Sequence, residues 1–112
     1  MSGKLSDVTF EGKSGNRFKF GVYEYGVVFQ PDYPAVYFIT NRYRKSDGKH
    51  THERIYVGQT DDLAVKLESH RKRECFESFG ANCICVFGEP DAGRRADIQA
   101  DLLERYSPPC NG

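Results

Sequence analysis

Ala35-Val36-Tyr37-Phe38-Ile39-Thr40 and, further on, Ile55-Tyr56-Val57-Gly58-Gln59-Thr60-Asp61-Asp62-Leu63 decide how this chain folds. The first is an unbroken β-branched and aromatic run, which reads as a strand. The second is a shorter run of the same kind, ended by Gly58 and followed by polar residues that suit a helix start. Between them lies Asn41 to Arg54, polar and basic, with the tight-turn pair Asp47-Gly48 near its middle. A hairpin turning on that pair sets Ser46 against Lys49, Ile39 against Tyr56 and Tyr37 against Gly58. Residues opposite each other share a face, as do residues two apart on one strand, so Tyr37 and Tyr56 become diagonal neighbours. Any even loop centred there gives the same result, and a bulge would shift it.

The following helix is expected to take Thr60 as N-cap, with Asp61 and Asp62 in its first turn where carboxylates suit the dipole. Leu63, Lys66, Leu67 and His70 then share one face. Lys66 and His70 stand in line with the docking leucines, and polar groups at core positions mark a candidate site. The plainer alternatives are a snorkelling Lys66 and a His70 bonded to backbone. Arg71-Lys72-Arg73 adds positive charge at the end of the stripe. Cys83 to Phe87 reads as a strand buried on both faces. From Arg94 a second helix carries Ile98, Leu102 and Tyr106 on one stripe, widened by Gln99 and Leu103, so Gln99 lies at a core-facing edge. Pro108-Pro109 stops it, and Cys110-Asn111 follows.

Upstream, Met1 to Ser6 reads as a loose terminus. Val8 and Phe10, then Phe18, Phe20 and Val22, alternate around Gly12-Lys13-Ser14-Gly15-Asn16, as in a hairpin with one wet face. A chain of 112 residues with no repeat or linker makes one domain. Its 16 basic and 16 acidic residues cancel, which excludes binding to nucleic acid through bulk charge and leaves only a local patch. No window is apolar enough to span a bilayer, and Met1-Ser2-Gly3-Lys4 lacks the apolar core of a signal peptide, so a cytoplasmic protein is expected. Cys75, Cys83, Cys85 and Cys110 are accordingly read as reduced. A zinc site joining them to His50 and His52 is disfavoured, because no Cys-x-x-Cys pair occurs.

Taken together, Ala35-Val36-Tyr37, Tyr56-Val57-Gly58, the segment with His70, and the closing Tyr106-Ser107-Pro108-Pro109-Cys110-Asn111 resemble the GIY-YIG nuclease family. The likeness covers Ala35 to Asn111. It divides the chain into a GIY-YIG-like domain at 35–112 and an N-terminal hairpin extension, 1–34, packed on it. The resemblance implies an α+β fold, a small mainly antiparallel sheet flanked by helices. It also implies metal-dependent cleavage of DNA phosphodiesters. Tyr37, Tyr56, His70 and Asn111 match the family's site positions: the tyrosines and histidine hold or deprotonate the attacking water, and the asparagine supports the site. Lys66 stands where the family has an arginine on the first helix, and Gln99 where it has a metal-binding glutamate.

Both departures bear on chemistry. Lysine keeps the charge but loses the planar fork that grips two phosphate oxygens. A neutral amide gives little to Mg²⁺, which is ordinarily held through one or two carboxylates. Asp97 and Asp101 lie about 200° around the helix from position 99 and cannot substitute. The expectation is therefore a DNA-directed protein with impaired or lost cleavage and no resident metal; Mg²⁺ or Mn²⁺ enters only if it is active. Arg42, Arg44, Lys45 and Lys49 in the hairpin, with Arg71, Lys72 and Arg73, are the candidate phosphate contacts. Two alternatives stand beside it. One is an active endonuclease using Lys66, with metal held through water, Glu68 or Glu104. The other is a protein-interaction module on a retired nuclease scaffold, with the N-terminal hairpin as its surface.

Overall fold

The alternating segments assemble into one antiparallel sheet in this computed structural model, which describes residues 3–112. The strands are β1 (Lys4–Glu11), β2 (Arg17–Glu24), β3 (Ala35–Arg44), β4 (His50–Thr60) and β5 (Cys83–Gly88). They lie in the order β1-β2-β5-β3-β4, so the last strand in sequence occupies the middle. The helices are α1 (Leu63–Glu68), α2 (Arg73–Ser78) and α3 (Ala92–Tyr106), and a 3₁₀ turn, Pro109–Asn111, ends the chain. The class is α+β, as expected. No helix among the described residues is long and apolar enough to cross a membrane.

Each face of the sheet has its own core. Phe10, Phe20, Phe38, Val57 and Cys85 meet Ile98 and Leu102 of α3 on one side. Tyr37, Ile39, Tyr56 and Ile84 meet Leu63, Phe76 and the loop residue Phe29 on the other. Fully burying such a side chain contributes roughly 1.5–3 kcal/mol. The N-terminal hairpin belongs to this architecture: β2 pairs with β5, and Phe10, Phe18, Phe20 and Val22 face the core. Its turn is held onto α3 by the Asp101 carboxylate, which accepts from the Ser14 N–H at 2.8 Å and the Ser14 hydroxyl at 2.6 Å. The inward face of the hairpin is thus filled, and its outward face and the β1 edge are what it presents to solvent. Strand β1 starts at Lys4, so only Met1 and Ser2 of the expected loose terminus lie outside the described residues.

The β3–β4 register contains two departures that cancel. The connection is Lys45 to Lys49, closed by the Lys45 N–H on the Lys49 carbonyl at 2.8 Å, so Arg44 rather than Ser46 is the last residue paired, with His50 opposite. That loop is odd, and a bulge at Ile55 compensates: Thr40 faces Arg54 while Ile39 faces Tyr56. Tyr37 therefore does stand opposite Gly58. Where strands run out, asparagine side chains replace them. Asn82 accepts from the Arg42 N–H at 2.7 Å and donates to its carbonyl at 3.0 Å, continuing β5 by one position. Asn111 does the same for Val57 on the free edge of β4, accepting and donating at 2.9 Å. Both devices satisfy backbone groups that would otherwise be unpaired.

Three expectations are corrected. Asp62 caps α1, accepting from the Val65 N–H at 3.3 Å, while the Thr60 hydroxyl accepts from the Asp62 N–H at 3.1 Å. The expected single helix breaks after Glu68, leaving His70 between α1 and α2. The cause is local: His70 Nδ1 accepts the Lys72 N–H at 3.1 Å, drawing backbone out of the helix, and the Arg73 guanidinium closes α1 on the Leu67 and Glu68 carbonyls. Finally, Cys75 and Cys110 form a disulfide, joining α2 to the 3₁₀ turn, whereas Cys83 and Cys85 are free and buried.

Candidate functional site

Strand pairing brings Tyr37 and Tyr56 together, and the break after α1 drops His70 onto them. Tyr37 is fully buried, with its hydroxyl 2.8 Å from His70 Nε2. The His70 ring stands edge-on to Tyr56 at 5.1 Å between centroids and packs on Phe76 at 4.7 Å. Gly58 makes room for this group. A Cβ there would lie 2.7 Å from Cζ and the hydroxyl of Tyr37 and 2.8 Å from Cε2 of Tyr56. The Gly58→Ala variant is therefore expected to lose about 1–3 kcal/mol of stability, read from the urea midpoint, and to loosen the Tyr37–His70 bond.

The protonation of this group follows from its partners. Burial, and then Lys66, Arg71, Arg73 and Lys72, push His70 down to about 4, so the imidazole is neutral near pH 7. Its Nδ1 lone pair receives the Lys72 N–H, so the single ring proton sits on Nε2 and is donated to the Tyr37 hydroxyl. Burial and the neighbouring Tyr56 push the Tyr37 phenol well above its ordinary value of 10.0, and it stays protonated. The linkage sign is clear. Folded His70 binds its proton less readily than the unfolded residue at 6.5, as does His52, also pushed to about 4 by burial, Arg42, Arg54 and His50. Stability is thus fully present above about pH 6.5 and is lost as pH falls toward 4. A melting series from pH 7 to pH 5 is expected to show a steady fall in Tm. Substituting Gln for both histidines should flatten that slope.

Lys66 does not lie on a buried stripe. It is exposed, because Leu63 alone of α1 is fully buried, although its charge still bears on His70. Gln99 and Asn111 meet at another point, the free edge of β4. Gln99 Nε2 donates to the Val57 carbonyl at 3.5 Å, the same oxygen that Asn111 holds. Val57 separates Tyr56 from Gly58, so the candidate site straddles the β4 edge, with the aromatic–imidazole group on one face and the two amides at the rim. The cavity beside His70, about 330 Å³, is lined by Tyr25, Phe29, Leu67, Arg73 and Phe76 among others, and takes in neither Tyr37 nor Tyr56, nor Lys66, nor Gln99.

Carboxylates are turned away from this rim or exposed. Asp101 is bound to Ser14, and Asp97, Glu68 and Glu104 are exposed. Among the described residues no group of three or more His, Cys, Asp or Glu side chains could hold a metal ion. The cations are differently placed. Arg42, Arg44, Lys45 and Lys49 lie on the β3–β4 hairpin, Arg71 and Lys72 in the turn before α2, and Arg73 is the first residue of α2. None of them forms an ion pair among the described residues.

The sequence pattern passed over Arg95. It is buried on α3, where its Nε donates to Gln59 Oε1 at 3.0 Å and its Nη1 to the Glu89 and Pro90 carbonyls. Its spacing from Ile98, Gln99 and Leu102 places it on the inward stripe, and that spacing was the available signal. Arg54 was likewise passed over as a fixed element; its guanidinium lies 4.1 Å over the Tyr106 ring. Set against protein-family models, curated proteins and solved structures, the chain matches none of them.

Proposed function

We propose that this chain is a GIY-YIG-like nuclease-fold protein directed at DNA, with impaired or lost phosphodiester cleavage. The observation that carries this reading is the commitment of both His70 nitrogens, one to a backbone N–H and one to the Tyr37 hydroxyl. General-base catalysis needs a lone pair free to take a proton from water. Here neither the imidazole nor the buried phenol offers one, so a water or phosphate oxygen beside this group could be oriented only by the Tyr56 hydroxyl and would not be deprotonated. The donor set does not fit a divalent cation either: position 99 presents a neutral amide already bonded to the Val57 carbonyl. Unpaired cations on the hairpin and before α2 supply the means of holding phosphates. A cytoplasmic location is part of the same proposal, through its DNA partner; the Cys75–Cys110 disulfide weighs the other way.

Two measurements test it. Filter binding to duplex DNA across a salt series should show affinity falling steeply with salt, and salt-independent or absent binding removes the reading. Plasmid nicking with Mg²⁺ or Mn²⁺ should not exceed that of the Tyr56→Phe variant. Brisk nicking that this substitution abolishes would instead establish the active endonuclease.

A further inference from the structure

The β3–β4 hairpin carries more than a run of positive charge. Between Asn41 and Arg54 stand five cations (Arg42, Arg44, Lys45, Lys49, Arg54) and two acids (Asp47, Glu53), in a chain whose total charge is zero. Pairing sorts them. Arg42 faces His52, Arg44 faces His50 and Arg54 faces Thr40, so all these lie on the α3 side of the sheet. Asn41, Tyr43, Thr51 and Glu53 occupy the opposite face. The Asp47 carboxylate is engaged in the turn, accepting from the Lys49 N–H at 2.9 Å. One face is thus cationic without an opposing acid, and the Nε of Arg42 is buried there with no hydrogen-bond partner among the described residues.

The hairpin also projects. Strand β5 pairs with β3 only as far as Thr40, and Asn82 extends it to Arg42. From Tyr43 to His50 every residue is exposed and the two strands have no third beside them. That leaves a ribbon reaching about 10 Å beyond its support, at roughly 3.3 Å per residue. Arg54, stacked on Tyr106, fixes its base.

We propose that this ribbon seats its cationic face in the major groove of B-form duplex DNA, an inference that rests on the DNA-directed reading above. A two-stranded ribbon fits a groove about 12 Å wide and 8.5 Å deep and is excluded from a minor groove of about 6 Å. Arginine forks on alternate residues suit guanine O6 and N7 as well as flanking phosphates. Single strands are ordinarily held by bases stacked on aromatic rings next to cations. Here the ribbon's exposed aromatic, Tyr43, stands on the face away from them.

Fluorescence anisotropy with the full chain tests this on a short labelled DNA duplex, its separate strands, and an RNA duplex of the same sequence. The DNA duplex is expected to bind about tenfold tighter than either alternative, because the A-form major groove is too narrow to admit side chains. Arg44→Ala with Lys49→Ala, both exposed positions, should weaken duplex binding about tenfold, lower the salt slope by about two, and remove protection of guanine N7 from dimethyl sulfate. Equal binding of the RNA duplex, tighter binding of single strands, or loss only on substituting Arg71 and Lys72 would overturn the ribbon proposal and leave the DNA reading standing. Absence of binding to every nucleic acid would overturn both.

Discussion

Gln99→Glu combined with Lys66→Arg is expected to confer Mg²⁺- or Mn²⁺-dependent nicking of plasmid DNA, on the order of 10²–10³-fold above the parent chain, the range for one well-placed electrostatic group. The gain would not pass through His70: a metal ion held at residue 99 would acidify its own bound water and so supply the hydroxide that the committed imidazole cannot generate. Position 99 decides the outcome. Its amide donates to the Val57 carbonyl, and a carboxylate there would lose that donor and face the oxygen instead. Without metal, Gln99→Glu should cost about 1–3 kcal/mol, the ordinary consequence of an unsatisfied, partly buried group. With Mn²⁺ it should recover, because a cation at the β4 edge can be shared by the new carboxylate and the phosphate. A thermal shift with Mn²⁺ in the variant but not in the parent reads the site independently of activity. Lys66→Arg alone should change little: it is exposed and adds a fork without adding an anion. Adding Tyr56→Phe to the double variant should abolish the gain. A double variant that neither shifts with Mn²⁺ nor nicks DNA would mean that residue 99 is not a metal position, and the proposed nuclease reading would lose its chemical content.

That experiment rests on parts of the molecule that were legible to different degrees in the residues. Short-range rules carried well: alternation located β2 and the Val8–Phe10 part of β1, a continuous apolar run located β5, helical spacing placed Ile98 and Leu102 inward, and face-sharing across the hairpin brought Tyr37 beside Tyr56. The last succeeded partly by compensation, since an odd loop and the Ile55 bulge offset each other. What failed was competition between side chain and backbone. A helical wheel assumes that residues 63 to 70 continue one helix, but the His70 imidazole accepts a backbone N–H and ends it. His70 is buried, as its place on the stripe suggested, but it reaches the core from the turn after α1, while Lys66, still within α1, is exposed. The insertion of β5 between β2 and β3 and the approach of Cys75 to Cys110 are set by packing across long sequence separations, for which no local signal exists. Arg95 shows the opposite case: its position on the inward stripe was visible, yet a cation there reads as a stripe-edge residue until its carbonyl partners are known.

Reduction of the Cys75–Cys110 disulfide, or Cys110→Ala, is expected to lower Tm by roughly 10–20 °C. The bridge closes a separation of 35 residues. In chain-entropy terms, constraining a loop of that length in the unfolded state is worth about 4 kcal/mol, a large part of the 5–15 kcal/mol typical of a domain. Its position adds a second consequence. Cys110 precedes Asn111, whose carboxamide closes both free backbone groups of Val57 at the β4 edge. Once the 3₁₀ turn is untied from α2, that clamp must hold itself against the entropy of a loose terminus. Asn111→Ala should therefore cost about 1–3 kcal/mol in the oxidised protein and clearly less after reduction, a coupling that a double-mutant cycle measures directly. Asn111→Asp separates the clamp's two bonds, since a carboxylate can still accept from the Val57 N–H but cannot donate to its carbonyl. Hydrogen exchange at Val57 should accelerate on reduction, in Cys110→Ala and in Asn111→Ala, with Tyr56 and Gly58 on either side following because the edge that positions them has been released, whereas Asn111→Asp, which keeps the acceptor for the Val57 N–H, should leave that amide protected. A Tm that is identical with and without reductant would show that the tether is not what holds the chain's end, and additive costs would show that bridge and clamp act separately. Additivity would also detach the tyrosine–histidine group from the terminus, and the site would then depend on the sheet and Gly58 alone.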